Sequence, residues 1–550
     1  MNGAEAFVAT LRSWEVDTFF GLPGSTEAPL LEALRADGSI RYVLALHEGV
    51  AVALADGYAR ASGRPGVVGL HTSVGTMNGM SQLFNSSRDG IPVVMTAGHK
   101  DRAVLAEDGF CAFPDLPSLL RPFTKSAWQS LSAEMVGADL SRALLAATAP
   151  PRGPAFLAVP EDLLGAQLTT PLDPASLPSL RHRTGLPAPG PGELAAVAQR
   201  LRTARKPVLV LGTEAASGGA AAVELAAEVG LAVLAADLTD LVTFSYPDAD
   251  PHYLGVYGDD PAVLEGCDLV VAVGGRVFFP FSNRLRPKLP PGAALVHIHP
   301  DPLQLGRRLA TDIGIVGEPK AVLEALRDEC RRIPSPGATE DRELALARLR
   351  EAREAAIASE LEHARGGQPA GVVEVLAELS RVLPQGTILV DEAVRASRAV
   401  FRHVGVPEAG EIWRSTGGAL GWGLPAAIGA KLARPDRPVV LLVGDGSLHF
   451  SIQALWTAVA QDAPVVVVVL DNGGYLAVKR AIENMLAVAH DPRVHPGTEL
   501  PGIDHAAAAR AYGAHAVLAH TAPEAAAAVE AGLAGNRVEV VTLPVAELRP

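Results

Sequence analysis

Short apolar runs alternate with longer Ala/Leu-rich stretches along most of this chain, and the alternation sets the expected fold. Val439 to Val443 and Pro464 to Leu470 are apolar runs of strand length, and Phe450 to Gln461 between them carries a helical pattern. Strands that are apolar on both faces belong to parallel sheets covered by helices on each side. The same rhythm begins the chain. Strands are predicted at Phe19 to Gly21, Tyr42 to Leu46, Val67 to Leu70 and Pro154 to Pro160, and the second leads into an apolar helix over Gly49 to Ala61. In the middle it returns at Pro207 to Gly212, Leu231 to Ala235, Leu269 to Val273 and Ala294 to Ile298. The expected fold class is α/β, with three doubly wound parallel-sheet domains.

Compositional breaks separate the three segments. Thr169 to Gly192 is rich in Pro, Ser and Gly, carries an Arg-His-Arg cluster at Arg181 to Arg183, and reads as a linker. The charged, helix-forming stretch Thr339 to Arg365 leads through Gly366-Gly367-Gln368-Pro369 into the last segment. Domains are expected at 1–170, 190–335 and 366–550, in keeping with a chain of 550 residues that is too long for one core.

Composition narrows the function classes. The net charge is −14 and no basic run offsets it, which argues against a nucleic-acid partner. Cys111, Cys267 and Cys330 are far apart and in no metal-ligand spacing, as in a protein of the reducing cytoplasm. Met1 to Asp17 is acidic and lacks the features of a signal peptide, and no run approaches the ~18 apolar residues of a membrane span. A cytoplasmic protein with no membrane partner is expected.

The candidate chemistry sits where strands end. Gly444-Asp445-Gly446 closes one strand and lies 27 positions before Asn472, which closes the next. Two glycines allow a tight turn, and one carboxylate is left at the carboxyl edge of the sheet. Asp445, the Asn472 amide oxygen and a backbone carbonyl such as that of Gly474 are oxygen ligands suited to Mg²⁺ on a diphosphate. The alternative is a structural strand-turn-helix.

In the first segment three strands each lead to a polar candidate. Ser25 reads either as a helix N-cap or as a hydroxyl presented to a ligand. Glu48 favours a helix dipole by its position, but apolar neighbours also make it a candidate proton handler. His71 ends a buried strand before Thr72 to Thr76, which begins a Gly-containing turn into a helix, and alone it reads as structural. Together the three residues point to a ligand at the sheet edge. In the middle segment, Gly218-Gly219 makes no dinucleotide fingerprint, which disfavours a flavin-dependent oxidase.

Several motifs resemble one family. They are Gly21-Leu-Pro-Gly-Ser25, Leu44-Ala-Leu-His-Glu48 with Ala55-Asp-Gly-Tyr-Ala59, Leu70-His71 with Gly75-Thr76, Pro154 to Pro160, Gly418-Ala-Leu-Gly-Trp422, Gly444-Asp-Gly446 and Asp471-Asn472-Gly473. They resemble the thiamine-diphosphate-dependent decarboxylase and acetolactate synthase superfamily, and Ser25 with His71 is most similar to benzoylformate decarboxylases. The resemblance implies a thiamine-pyrimidine-binding first domain, a central domain and a diphosphate-binding third domain, with thiamine diphosphate and Mg²⁺ as cofactors. It implies that Glu48 bonds the pyrimidine, and that Gly418, Leu420, Gly444, Gly446, Ser447 and Tyr475 line the cofactor. Asp445, Asn472 and Gly474 would hold the metal, while Ser25 and His71 would handle the substrate carboxylate and protons. Sites shared between two subunits of a homodimer, assembled as a homotetramer, are also implied.

Departures from the family pattern fall in the implied substrate pocket. Asp471 replaces a more usual Asn, Leu476 stands where Gly is common, Ala481 replaces a large aromatic, and Phe281 falls where a second histidine is expected. The leading expectation is non-oxidative decarboxylation of an aromatic or bulky 2-oxo acid to an aldehyde. Carboligation to 2-hydroxyketones or acetolactate-type products is the alternative. A catalytically silent assembly subunit is a third, disfavoured by intact Glu48, Asp445 and Asn472.

Overall fold

The computed structural model describes residues 1–170, 172–178, 186, 189–278, 288–334, 338–486 and 495–546. Arg181 to Arg183 and Phe281 lie outside the described residues, as does part of the expected linker. Three sheets account for the expected α/β architecture. The first is six-stranded and wholly parallel, in the order Arg41–Leu44, Thr18–Leu22, Gly66–His71, Val93–His99, Ala155–Pro160, Ala127–Gln129. Successive residues such as Phe19 and Phe20, or Val67 and Val68, enter apolar clusters on opposite faces of it. Burial on both faces explains why its strands read as unbroken apolar runs.

The second sheet is also six-stranded and parallel, ordered Tyr253–Val256, Ala232–Ala235, Pro207–Leu211, Leu269–Val273, Ala294–His299, Ile313–Val316. Its two outermost strands go beyond the sequence expectation. Each is short and interrupted by glycine, Gly255 or Gly314, which hides the apolar run. At the carboxyl edge Gly212 closes directly on Gly275, where an added Cβ would lie 2.3 Å from the Gly275 Cα. Gly218 and Gly219 end a helical turn and begin the helix Gly219–Val229.

The third sheet has seven strands, ordered His515–Leu518, Glu539–Pro544, Val466–Asp471, Val439–Gly444, Ile388–Glu392, Glu411–Trp413, Thr243–Phe244. The last of these comes from the middle segment and pairs antiparallel, so the middle and third units are interlocked through the sheet itself. One boundary differs from expectation. The helix read over Phe450 to Gln461 spans only Ala454–Ala460, because Asp445–Leu448 makes a separate helical turn directly on the strand end. Phe450, which the apolar pattern placed inside the helix, is exposed between the two.

The first and third units meet through the helices Glu48–Ser62 and Gly423–Ala433. A Cβ on Gly57 would lie 2.1 Å from the Ala426 carbonyl oxygen, and one on Gly429 would lie 2.1 Å from that of Leu54. Backbone therefore touches backbone across the pair, and only glycine permits it. Gly57→Val should lower the melting temperature, because overpacking costs about 1–3 kcal/mol, or roughly 2–10 °C in domains of this size. Gly192→Ala, whose new methyl meets open space, should leave melting unchanged or raise it slightly. Calorimetry on the two variants makes the comparison, and equal melting would show that the helix pair yields freely.

Candidate active site

In the first unit, the strand Thr18–Leu22 feeds one helical turn, Ser25–Glu27, whose N-cap residue is Gly24. Ser25 is therefore not the cap. It is the first residue of the turn, and its side chain is exposed. Thr26 and Glu27, in the same turn, are buried and face His71. The Thr26 Oγ1 lies 2.9 Å and the Glu27 Oε2 3.2 Å from the His71 Nδ1. Thr26 also donates to the Gly98 carbonyl at 2.9 Å, and Glu27 accepts from the Gly24 N–H at 2.8 Å. Burial pushes the Glu27 carboxyl above its usual range, against the opposing pull of the Gly24 amide and His71.

Gly24 is needed here because an added Cβ would fall 2.1 Å from the His71 Nδ1. The helix expected to follow a turn at Thr72 to Thr76 already begins at Thr72, as Thr72–Asp89, with Thr72 at φ 47°. His71 is thus held between a strand and a helix with no loop between them. Glu48 opens the helix Glu48–Ser62, after His47 caps it by accepting from the Gly49 N–H at 3.0 Å. The half-buried Glu48 carboxylate accepts from Asn78 Nδ2 at 3.1 Å. It also lies against Gly75, where a Cβ would come within 3.3 Å of its Oε1.

In the third unit, the strands Val439–Gly444 and Val466–Asp471 are parallel neighbours with Gly444 opposite Leu470. Register therefore places the Asp445 and Asn472 loops side by side. Asp445 is 1% exposed and its Oδ2 has no hydrogen-bond partner, and the buried Asn472 Oδ1 also has none. Two orphaned buried oxygens at one sheet edge fit a hard cation, because groups so placed are otherwise bonded. Burial pushes the Asp445 carboxyl up to about 6, with repulsion from Asp471 adding to the shift and the Gly446 N–H opposing it. The His505 imidazole, 3.7 Å away, holds Asp471 below the usual carboxylate range.

Gly474 has φ 156° and leaves no room for a Cβ against the Thr498 carbonyl, while Tyr475 packs its ring over Gly446. The Gly474 carbonyl accepts from the Leu476 N–H at 3.1 Å, and Ser447 is buried beside Asp445. Leu476 lines a small cavity with Gly444 and Asn472. Ala481 lies further along the helix Leu476–Leu486, on its exposed side.

The loop bearing Gly418 and Leu420 is tied to the first unit. Asn85 Nδ2 donates to the Ala419 carbonyl at 2.8 Å, its Oδ1 accepts from the Ala419 N–H at 3.1 Å, and Gln82 Nε2 donates to the Leu420 carbonyl at 2.9 Å. Gly418 is exposed with φ 86°, and Leu420 is half-buried. Glu392 accepts from the backbone N–H groups of Gly421, Trp422 and Gly423 at 2.8, 3.1 and 2.9 Å. Burial still pushes its carboxyl up to about 7 against those three donors.

Glu27 carried a sequence signal, since it follows Gly24 at capping-box spacing. Asn78, Gln82, Asn85, Glu392 and His505 carried none, because their partners are remote in the chain.

Residues 1–115 match the thiamine pyrophosphate enzyme N-terminal TPP-binding domain, residues 194–326 its central domain and residues 395–543 its C-terminal TPP-binding domain. A benzoylformate decarboxylase of Pseudomonas aeruginosa is 35% identical, with 98% of each chain covered. The acetolactate synthase large subunit of Haemophilus influenzae is 29% identical over 86% of this chain and 82% of its own. The structure of a thiamine diphosphate-dependent 4-hydroxybenzoylformate decarboxylase from Rhodococcus jostii RHA1 superposes with a TM-score of 0.84. It is 29% identical and covers 99% of both chains.

Asn85→Ala removes both bonds to Ala419, each worth about 0.5–1.5 kcal/mol net. Amide hydrogen exchange in residues 415–422 should accelerate while the core strands keep their protection. Unchanged exchange there would show that Gln82 and Glu392 hold the loop without Asn85.

Proposed function

The chain belongs to the thiamine pyrophosphate enzyme family, and from that premise we propose that it decarboxylates an aromatic or bulky 2-oxo acid non-oxidatively, releasing an aldehyde. The observation that carries this reading is the pair of orphaned buried oxygens, Asp445 Oδ2 and Asn472 Oδ1, at the edge of a TPP-binding domain. Together with the Gly474 carbonyl they would hold Mg²⁺ on the cofactor diphosphate. Gly444, Gly446, Ser447 and Tyr475 would border that diphosphate, and Gly418 and Leu420 would meet the rings. Thiamine diphosphate, when bound, supplies the carbanion chemistry that decarboxylation requires.

The protein's part is orientation and proton traffic. Glu48 is the residue that would hold the pyrimidine of the bound cofactor and exchange a proton with it. Asn78 and the bare Cα of Gly75 fix where its carboxylate lies. His71, aimed by Thr26 and Glu27, and the exposed Ser25 hydroxyl orient the substrate carboxylate and deliver the proton that completes the aldehyde. Leu476 and Ala481 shape the acyl pocket.

Leu46, Val74 and Met77 are 42%, 47% and 49% exposed around Glu48. Apolar surface beside a catalytic edge is suited to cover by a second copy, and a homodimer is the proposed active unit, with a homotetramer as the full assembly. Similarity to the acetolactate synthase subunit supports carboligation as the second reading. A panel of 2-oxo acids with both cofactors, analysed for aldehyde and hydroxyketone, tests the two. Absence of CO₂ release from every acid would overturn both.

Mg²⁺ and thiamine diphosphate together should raise the melting temperature, since ligand at 100 times its Kd adds roughly 2.7 kcal/mol to the folded state. Asp445→Ala should abolish the shift, and a wild-type protein indifferent to millimolar cofactor would contradict the assignment. Glu48→Gln should retain the shift but lose about 10²–10⁴-fold in kcat, the range typical of acid-base groups. Near-normal turnover would reduce Glu48 to a helix-terminus residue.

A further inference from the structure

The edge that carries Asp445 holds more donors than a magnesium-diphosphate clamp uses. Asp445, Asp471 and His505 each present a ligand atom, and the three atoms lie within 4.8 Å of one another. Ligand atoms bonded at ~2.0–2.2 Å sit at most about 4.4 Å apart, so a sub-ångström closure would bring all three into range. Asp445 is 1% exposed, and its Oδ2 has no partner. His505 is 4% exposed and its Nε2 lies 3.7 Å from the Asp471 Oδ2. The other nitrogen, Nδ1, lies 2.8 Å from the His449 Nε2. A cation at Nε2 selects the tautomer in which Nδ1–H donates to His449. Metal-bound histidines are commonly held this way, with the second ring nitrogen fixed by another group.

We propose that Asp445, Asp471 and His505 form a mixed nitrogen and oxygen site that binds one divalent transition cation without help from a diphosphate, with His449 as its positioning residue. The proposal rests on the reading of this edge as a metal clamp and deepens it. Mg²⁺ favours hard oxygen ligands and leans on substrate phosphates, whereas imidazole suits Co²⁺, Ni²⁺ and Zn²⁺. Two carboxylates supply the charge that a site without phosphate would otherwise lack. The competing arrangement is an Asp471–His505 pair that never meets a cation.

The test is titration of the metal-stripped, full-length protein, free of thiamine diphosphate, with Co²⁺ and separately with Mg²⁺. Calorimetry and the visible absorption of bound Co²⁺ are the readouts. One equivalent of Co²⁺ per chain is expected, with a visible band. His505→Gln should weaken Co²⁺ binding by at least about tenfold and leave Mg²⁺ binding unchanged, and His449→Ala should weaken it by roughly 10–100-fold. Asp471→Asn keeps the side-chain volume and guards against a folding defect, and it should also weaken Co²⁺. Uptake of Co²⁺ only in the presence of thiamine diphosphate, or uptake indifferent to both His505→Gln and Asp471→Asn, would overturn the proposal. Either result would leave the magnesium-dependent melting shift intact, so failure here is distinguishable from failure of the functional assignment.

Discussion

Arg60 lies buried at the junction of the first and third units, and the architecture depends on how its charge is met. Its guanidinium donates to Asp56 and to Asp89 at 2.7 Å each and to the Arg414 carbonyl at 2.9 Å, with Trp422 stacked over it. Asp56 accepts in addition from Trp422 Nε1 and Ser86 Oγ, and Asp89 accepts from the backbone and side chain of Thr416. All three charged side chains are at most 2% exposed. Breaking such a pair from one side costs about 3–5 kcal/mol, because an uncompensated charge is left behind. Since Asp56, Arg60 and Asp89 come from the first unit while Trp422, Arg414 and Thr416 come from the third, the network fixes how the two units sit on each other.

The middle unit joins the same network. Arg276 pairs with Asp240 and reaches Arg88 and Thr416 across the boundary. From this anchor the helix Glu48–Ser62 runs to Glu48 at its amino end, and the helix after Trp422 begins at the loop that Asn85, Gln82 and Glu392 hold. The residues proposed to hold the cofactor therefore stand at the ends of rigid elements whose other ends are locked. That arrangement limits the freedom of a site built from several distant chain segments.

Legibility from sequence followed the range of the interaction. Strands buried on both faces announced themselves as apolar runs, and the strand ends that precede Ser25, Glu48, His71, Asp445 and Asn472 were readable as places because parallel strands bring their carboxyl ends to one edge of each sheet. Short edge strands such as Ile313–Val316, half exposed and broken by glycine, gave no comparable run. The helix expected from Phe450 misled because apolarity was taken for burial, and Phe450 is exposed. Asn85, Glu392 and the buried ion network could not be read, since each acts on a partner far along the chain. Gly57 and Gly429 look like weak points in alanine-rich helices until their backbone contacts are seen.

A common rule governs the polar residues at the two sheet edges: none is aimed by its own strand alone. His71 takes its orientation from Thr26 and Glu27, Glu48 from Asn78 and the space at Gly75, and His505 from His449. A strand end fixes only where the Cα lies; the side-chain rotamer is set by a second group, and that group is bought with burial. Glu27 and Glu392 show the cost, since burial pushes both carboxyls above their ordinary range while backbone N–H donors only partly offset it. Asp471 shows the complement, a second carboxylate beside Asp445 that is tolerated because His505 faces it. Replacement of one member of such a set leaves the other buried without its partner, so Asp471, His505 and His449 are coupled physically although 22 or more positions separate any two of them in the chain.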